Sequence, residues 1–115
     1  MHYVFTQRFN GISIPFYESR LFSGEYIGEP TLYIKRSDMG RALGYSCPVR
    51  STSKLHSMHK DQLDKYSVKT AVPDGRNITG RLETVMYDAV SVNIYCNISK
   101  QPLAQEFCEW VTKWL

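Results

Sequence analysis

The chain has 115 residues, with 14 Lys plus Arg against 11 Asp plus Glu and a formal net charge of +3. That length suits one domain spanning residues 1–115 around one modest core, and so small a charge excess does not by itself announce a nucleic-acid partner. No apolar run is long enough for a bilayer and the N-terminus lacks the zones of a signal peptide. The three cysteines, Cys47, Cys96 and Cys108, have no C-x-x-C spacing and fit small buried thiols in a reducing compartment. The expectation is therefore a cytoplasmic protein without membrane association.

In chain order, the first clear element is a strand in which Ile12, Ile14 and Phe16 alternate with Ser13, Pro15 and Tyr17. Pro15 pushes that strand toward a sheet edge, because proline cannot donate to a ladder. Ser23-Gly24-Glu25 and Gly28-Glu29-Pro30 are turn clusters bracketing Tyr26-Ile27, and Thr31 to Lys35 is the next strand of an antiparallel meander. A short helix follows, with Ser37 as its cap, Asp38 at its positive end and Met39, Ala42 and Leu43 as its apolar stripe, stopped by Gly44. Ser46-Cys47-Pro48 opens a second helix through about Met58, with Val49, Thr52 and Leu55 inward. Tyr66 to Val72 reads as a strand, Pro73 to Asn77 as a turn, and Ile78 to Met86 as the returning strand.

Between Tyr87 and Ile98 the period is ambiguous. Val90, Val92, Ile94, Cys96 and Ile98 alternate with Ser91, Asn93, Tyr95 and Asn97, which by period alone is a strand. The last element is a helix whose apolar residues (Leu103, Ala104, Phe107, Cys108, Trp110, Val111, Trp114 and Leu115) cover an arc of about 160° at 100° per residue. Ser99 is read as its N-cap and Pro102 as a first-turn proline. The whole is an α+β domain, a small antiparallel sheet with helices packed on one face.

Three segments resemble the Bro-N domain and its relatives, the N-terminal domains of phage antirepressors. Ile34 to Tyr45 is similar to the family's strand and aspartate-led helix ending in a Leu-Gly-Tyr element. Thr84 to Val90 resembles the strand entering the next helix. Ser99-Lys100-Gln101-Pro102, with Ala104, Phe107, Trp110 and Val111, resembles the Ser-basic-x-Pro, Ala, Phe, Trp-Val signature. Ile14-Pro15-Phe16 and Gly28-Glu29-Pro30 are similar to the antirepressor branch. The Gly-Leu pair usual in the family is absent from 87–98, and many relatives continue into a C-terminal domain beyond the point reached at Leu115. The resemblance implies a helix for 87–98 and a phage or viral regulatory module.

Charge is unevenly distributed. From Lys35 to Lys69 the chain carries Lys35, Arg36, Arg41, Arg50, Lys54, Lys60, Lys65 and Lys69, opposed by Asp38, Asp61 and Asp64. The binding candidates are Arg41, Arg50, Ser51, Thr52, Lys54, His56, His59 and Lys60, with Arg76 nearby. Short hydroxyls and cations around a helix start supply the donors and charge that phosphate oxygens need. Two helices joined by a tight turn, the second basic, suggest a recognition helix; Tyr45, Tyr66 and Arg76 can stack on unpaired bases, which favours single-stranded nucleic acid. His56 and His59, three apart, are too few ligands for zinc. Cys47 has no nominated base and no hydrolase, zinc-protease or P-loop pattern occurs, so neither an enzyme nor a cofactor is expected. The expectation is a homo-oligomeric transcription regulator binding DNA. The alternative is an antirepressor-type module that inactivates a repressor-type protein through Pro73–Asn77, the Tyr17–Glu29 meander and exposed tyrosines.

Overall fold

A computed structural model of the chain describes residues 2–19, 31–70 and 84–115. The expected turns at 23–30 and 73–77, Arg76 and the start of the returning strand lie outside the described residues.

The first strand, β1 (His2–Phe9), is an addition to those expected, and its signal is Asn10-Gly11. Both residues have positive φ, +48° and +80°, the geometry of a two-residue hairpin turn that asparagine and glycine tolerate. The hairpin joins β1 to β2 (Ile12–Glu18), with a bulge between Tyr3 and Phe5. β3 (Leu32–Lys35), β4 (Ser67–Thr70) and β5 (Thr84–Tyr87) complete a five-stranded antiparallel sheet in the order β1-β2-β3-β5-β4.

Pro15 is not on an edge strand, because β2 lies between β1 and β3. The β2–β3 ladder pairs Phe16, Tyr17 and Glu18 and stops before Pro15, so the proline falls outside that ladder and its missing N–H is tolerated.

One sheet face presents Phe9, Ile14, Phe16, Ile34 and Tyr87 to the main core, where they meet Met39, Leu43, Val92, Tyr95, Phe107 and Val111 from the helices. The smaller cluster on the opposite face, Tyr17 and Met86 with Tyr33 against them, contains no helix residue among the described residues. Aromatic contacts join the first hairpin to the C-terminal helix: Phe9 meets Phe107 edge-on at 5.2 Å and Trp110 at 5.4 Å.

The first helix, α1 (Arg36–Ala42), starts one residue before Ser37, and no side chain caps it. Ser37 is therefore inside the helix rather than its cap. Met39, Ala42 and Leu43 are buried as the stripe predicts, and Gly44 ends the element at φ +88°. The second helix, α2 (Pro48–Met58), has Pro48 in its first turn. Its inner face agrees with expectation at Thr52, which is buried, but Val49 is 66% exposed and His56 is buried instead.

Gly40 sets how closely α1 and α2 approach. A Cβ there would lie 2.7 Å from Thr52 Cγ2 and 3.1 Å from Pro48 Cβ and O, so only hydrogen fits.

A short α3 (Lys60–Leu63) and a single 3₁₀ turn (Asp64–Tyr66) lead into β4. Residues 89–98 are helical, forming α4 (Ala89–Ile98), as the family resemblance implies and against the strand period. Asp88 caps it by accepting from the Ser91 N–H at 2.9 Å. Its buried face is Ser91, Val92, Tyr95 and Cys96, with apolar Val90 outside. Two polar-looking residues face inward, and that is why the alternation misled. Ser91 is satisfied by Asp88, and Tyr95 donates to the Tyr45 hydroxyl at 2.9 Å.

Helix α5 (Ala104–Val111) begins five residues after Ser99, which stands at the C-cap of α4 instead. The Ser99 hydroxyl accepts from Gln101 N–H at 3.2 Å, turning the chain between the two helices. Ala104, Phe107 and Val111 are buried, while Trp110 is partly covered and Trp114 exposed. Cys96 is buried and its thiol is pushed up to about 12, first by burial. Cys47 is exposed, contrary to the expectation of buried thiols throughout.

Gly40→Ala is expected to destabilise the protein by about 1–2 kcal/mol. Overpacking costs about 1–3 kcal/mol and the better helix propensity of alanine returns up to about 1. Urea unfolding checks this, and in a Thr52→Ser background, which lacks Cγ2, the same substitution should cost markedly less.

Candidate nucleic-acid interface

The rotation of α2 about its axis decides which of the candidate side chains reach solvent. Inward, the Thr52 hydroxyl donates to the Pro48 carbonyl at 2.6 Å. One turn on, the His56 ring is held at both nitrogens, Nδ1 2.6 Å from the Tyr87 hydroxyl and Nε2 2.6 Å from Asp64 Oδ1. An ionised carboxylate only accepts, so the network places the proton of a neutral imidazole on Nε2, and Tyr87 donates to Nδ1. Burial pushes the Tyr87 hydroxyl far above its ordinary value, keeping it a donor. The His56 hydrogen bond first, then the charges of His56, Lys60 and Lys69, hold the Asp64 carboxyl below its ordinary range.

Two expected contacts are therefore corrected. Thr52 and His56 are buried and already bonded, so they are parts of the core and not phosphate-contact groups. A third, Arg41, pairs with Asp38 one turn back and donates to the Ser13 carbonyl of β2 at 3.3 Å. Its guanidinium is tied toward the sheet and does not join the α2 surface. The second oxygen of Asp38 is buried without a hydrogen-bond partner among the described residues. Its charge is compensated by Arg41 and the first turn of α1.

Outward, Arg50 and Lys54 stand one turn apart and both are exposed. α2 runs as a ridge between two clefts. The first, about 460 Å³, is lined by Ser51, Lys54 and His59 from the candidate set, with Lys100 and Gln101 beyond α4. Tyr45, Leu55, Met58 and Ile98 supply the rest of its lining. No carboxylate is among the described residues that line it. Tyr45 is held there by its hydroxyl, bonded to Tyr95 and, at 3.3 Å, to Ser99.

The second cleft, about 440 Å³, lies on the other side of α2 and takes His56 and Lys60 from the candidate set, together with Arg36, Lys69 and Asp64. The expected single patch is thus two, with Arg50 lining neither. Lys100, Arg36 and Lys69 are the residues that sequence reasoning did not nominate. Lys100 sits in the Ser-Lys-Gln-Pro motif, and only the packing of α4 against α3 carries it to the cleft it shares with Lys54.

Tyr66, a second stacking candidate, is half-buried, with the Lys65 ammonium 5.7 Å from its ring centre. Among the described residues no three His, Cys, Asp or Glu side chains gather as a metal site would need, and no helix is long and apolar enough to cross a membrane. Compared with known protein families, with curated proteins and with solved structures, the chain matches none.

Removing the Tyr87 hydroxyl with Tyr87→Phe leaves the buried Nδ1 of His56 unpaired, at an expected cost of about 1–3 kcal/mol in urea unfolding. Asp64 acts through pH. Its carboxyl is lowered in the folded state, so its contribution is complete above the unfolded carboxylate range and is lost as pH falls through the lowered value. Stability measured against pH should therefore fall on the acid limb, and Asp64→Asn should flatten that fall.

Proposed function

We propose that the chain is a regulatory module of the Bro-N and antirepressor type that binds DNA, without catalysis, through the outer face of α2 and the cleft beside it. The observation that carries this reading is the first cleft. Lys54, His59 and Lys100 border a floor of Tyr45, Leu55, Met58 and Ile98, with no acidic side chain among the described lining residues. Arg50 extends the same positive face along the helix. Cations at a rim suit backbone phosphates, which supply most of the affinity, and an apolar floor with one aromatic ring suits an unpaired base. Single-stranded DNA is thus favoured over duplex. The Bro-N likeness adds a homodimer and a phage or viral setting to the proposal.

A second reading rests on a specific observation. Val49 and Met58 leave 66% and 67% of their surface exposed on α2, and such apolar groups also suit a protein partner. An antirepressor-type module would present them to a repressor-type protein and bind no nucleic acid.

Salt separates the two. Affinity for a single-stranded oligonucleotide should fall steeply as salt rises, and Arg50→Ala with Lys54→Ala should flatten the log–log slope by about 1.4, about 0.7 for each phosphate no longer neutralised. Arg41→Ala, whose side chain is already engaged, should leave the slope unchanged. Undetectable binding to single-stranded and duplex DNA at low salt, with capture of a repressor unaffected by the double substitution, would replace the first reading with the second.

A further inference from the structure

The second cleft has a different chemistry from the first. Its lining includes the His56–Asp64 pair, and its cations come from three separate elements: Arg36 opens α1, Lys60 opens α3 and Lys69 lies on β4. These cations are distant in sequence and meet only through the fold. Ser53 and Ser57, one turn apart on α2, and Ser67 at the start of β4 add three hydroxyls, and Val85 is the single apolar residue of the described lining.

Three cations sharing one recess repel one another unless an anion offsets them. The described lining offers one carboxylate, Asp64, and it is committed to His56 Nε2 at 2.6 Å. Arg36, Lys60 and Lys69 against Asp64 leave the lining with an excess of two positive charges, leaving His56 out of the count. A recess of one sign concentrates the field and attracts an anion of opposite charge.

We propose that this cleft is a binding site for a phosphomonoester carried on a polar, hydroxylated body. A phosphodiester brings one negative charge per phosphate, whereas a monoester at neutral pH brings about 1.5 to 2, which matches the lining. Arg36, Lys60 and Lys69 supply charge-assisted donors and the three serines supply neutral ones. The volume of about 440 Å³ leaves room beyond the phosphate, and the scarcity of apolar lining selects a sugar-like body rather than an aliphatic one. Two sources offer that chemistry: a small sugar phosphate, and the terminal phosphate of a nucleic-acid strand. The site uses none of Arg50, Lys54 or Lys100, so it does not depend on the DNA-binding reading.

The test is a calorimetric titration of the intact chain with ribose 5-phosphate against ribose, and with a 5′-phosphorylated oligonucleotide against its 5′-hydroxyl counterpart. At least one phosphorylated probe should bind tenfold or more tightly than its unphosphorylated partner. Preference in the first pair identifies a small-molecule ligand, preference in the second a strand end. Lys60→Gln with Lys69→Gln, both at exposed positions, should remove that preference while leaving the thermal unfolding temperature near the parent's. Arg50→Ala with Lys54→Ala should leave the preference intact even where it weakens DNA binding overall. The proposal is overturned if neither pair shows a preference, or if the double glutamine variant keeps it.

Discussion

His56 decides the geometry on which the surface of this protein depends. Its ring is buried beneath α2 and bonded at one nitrogen to Tyr87 of β5 and at the other to Asp64 of the 3₁₀ turn. A helix held this way cannot rotate about its axis without leaving buried polar groups unpaired, which costs more than an ordinary hydrogen bond contributes. Fixing the inner face at Thr52 and His56 fixes the outer one at Arg50 and Lys54. It also opens a cleft on each flank of the helix. The close α1–α2 approach at Gly40 acts in the same direction, because Thr52 Cγ2 fills the space that a side chain would need.

The polar interior follows one pattern. Tyr95 reaches Tyr45, Tyr45 reaches Ser99, and Ser99 receives the Gln101 N–H. This chain links the α1–α2 turn to α4 and to the turn before α5. The buried tyrosines therefore add specificity as well as apolar area, since their hydroxyls are bonded to particular partners. It also places Tyr45 in the wall of the first cleft, so the same network that orders the core shapes the candidate interface.

Lys35 and Lys65 of the basic stretch lie over the Tyr17 and Tyr66 rings, and its other six cations fall into three groups. Arg41 is structural, spent on Asp38 and on a β2 carbonyl. Arg50 and Lys54 face solvent on the ridge, and Lys54 joins Lys100 across a largely apolar floor. Arg36, Lys60 and Lys69 surround a polar recess on the other side. The segment as a whole is one feature by composition and three by geometry, which is why net charge said little about the partner.

Much of the architecture was legible locally. The alternation of Ile12, Ile14 and Phe16, the Met39–Ala42–Leu43 stripe stopped by Gly44, Pro48 in the first turn of α2 and the apolar arc of the last helix each depend on neighbours within a few residues. The Asn10-Gly11 turn was equally local and marks β1. Other features were not legible. Ser37 and Ser99 look like caps by residue type, yet the helices begin elsewhere. Residues 89–98 look like a strand until Asp88, Tyr45 and the core satisfy Ser91 and Tyr95. By itself the chain determined its α+β class, most of its elements and the position of a basic middle third, since these follow from short-range periodicity and turn chemistry. Only the tertiary structure decided that His56 is buried, that Arg41 is engaged, and that Lys100, Arg36 and Lys69 line the clefts. The reason is physical: exposure, pairing and charge clustering are properties of groups far apart in the chain, set by packing rather than by sequence spacing.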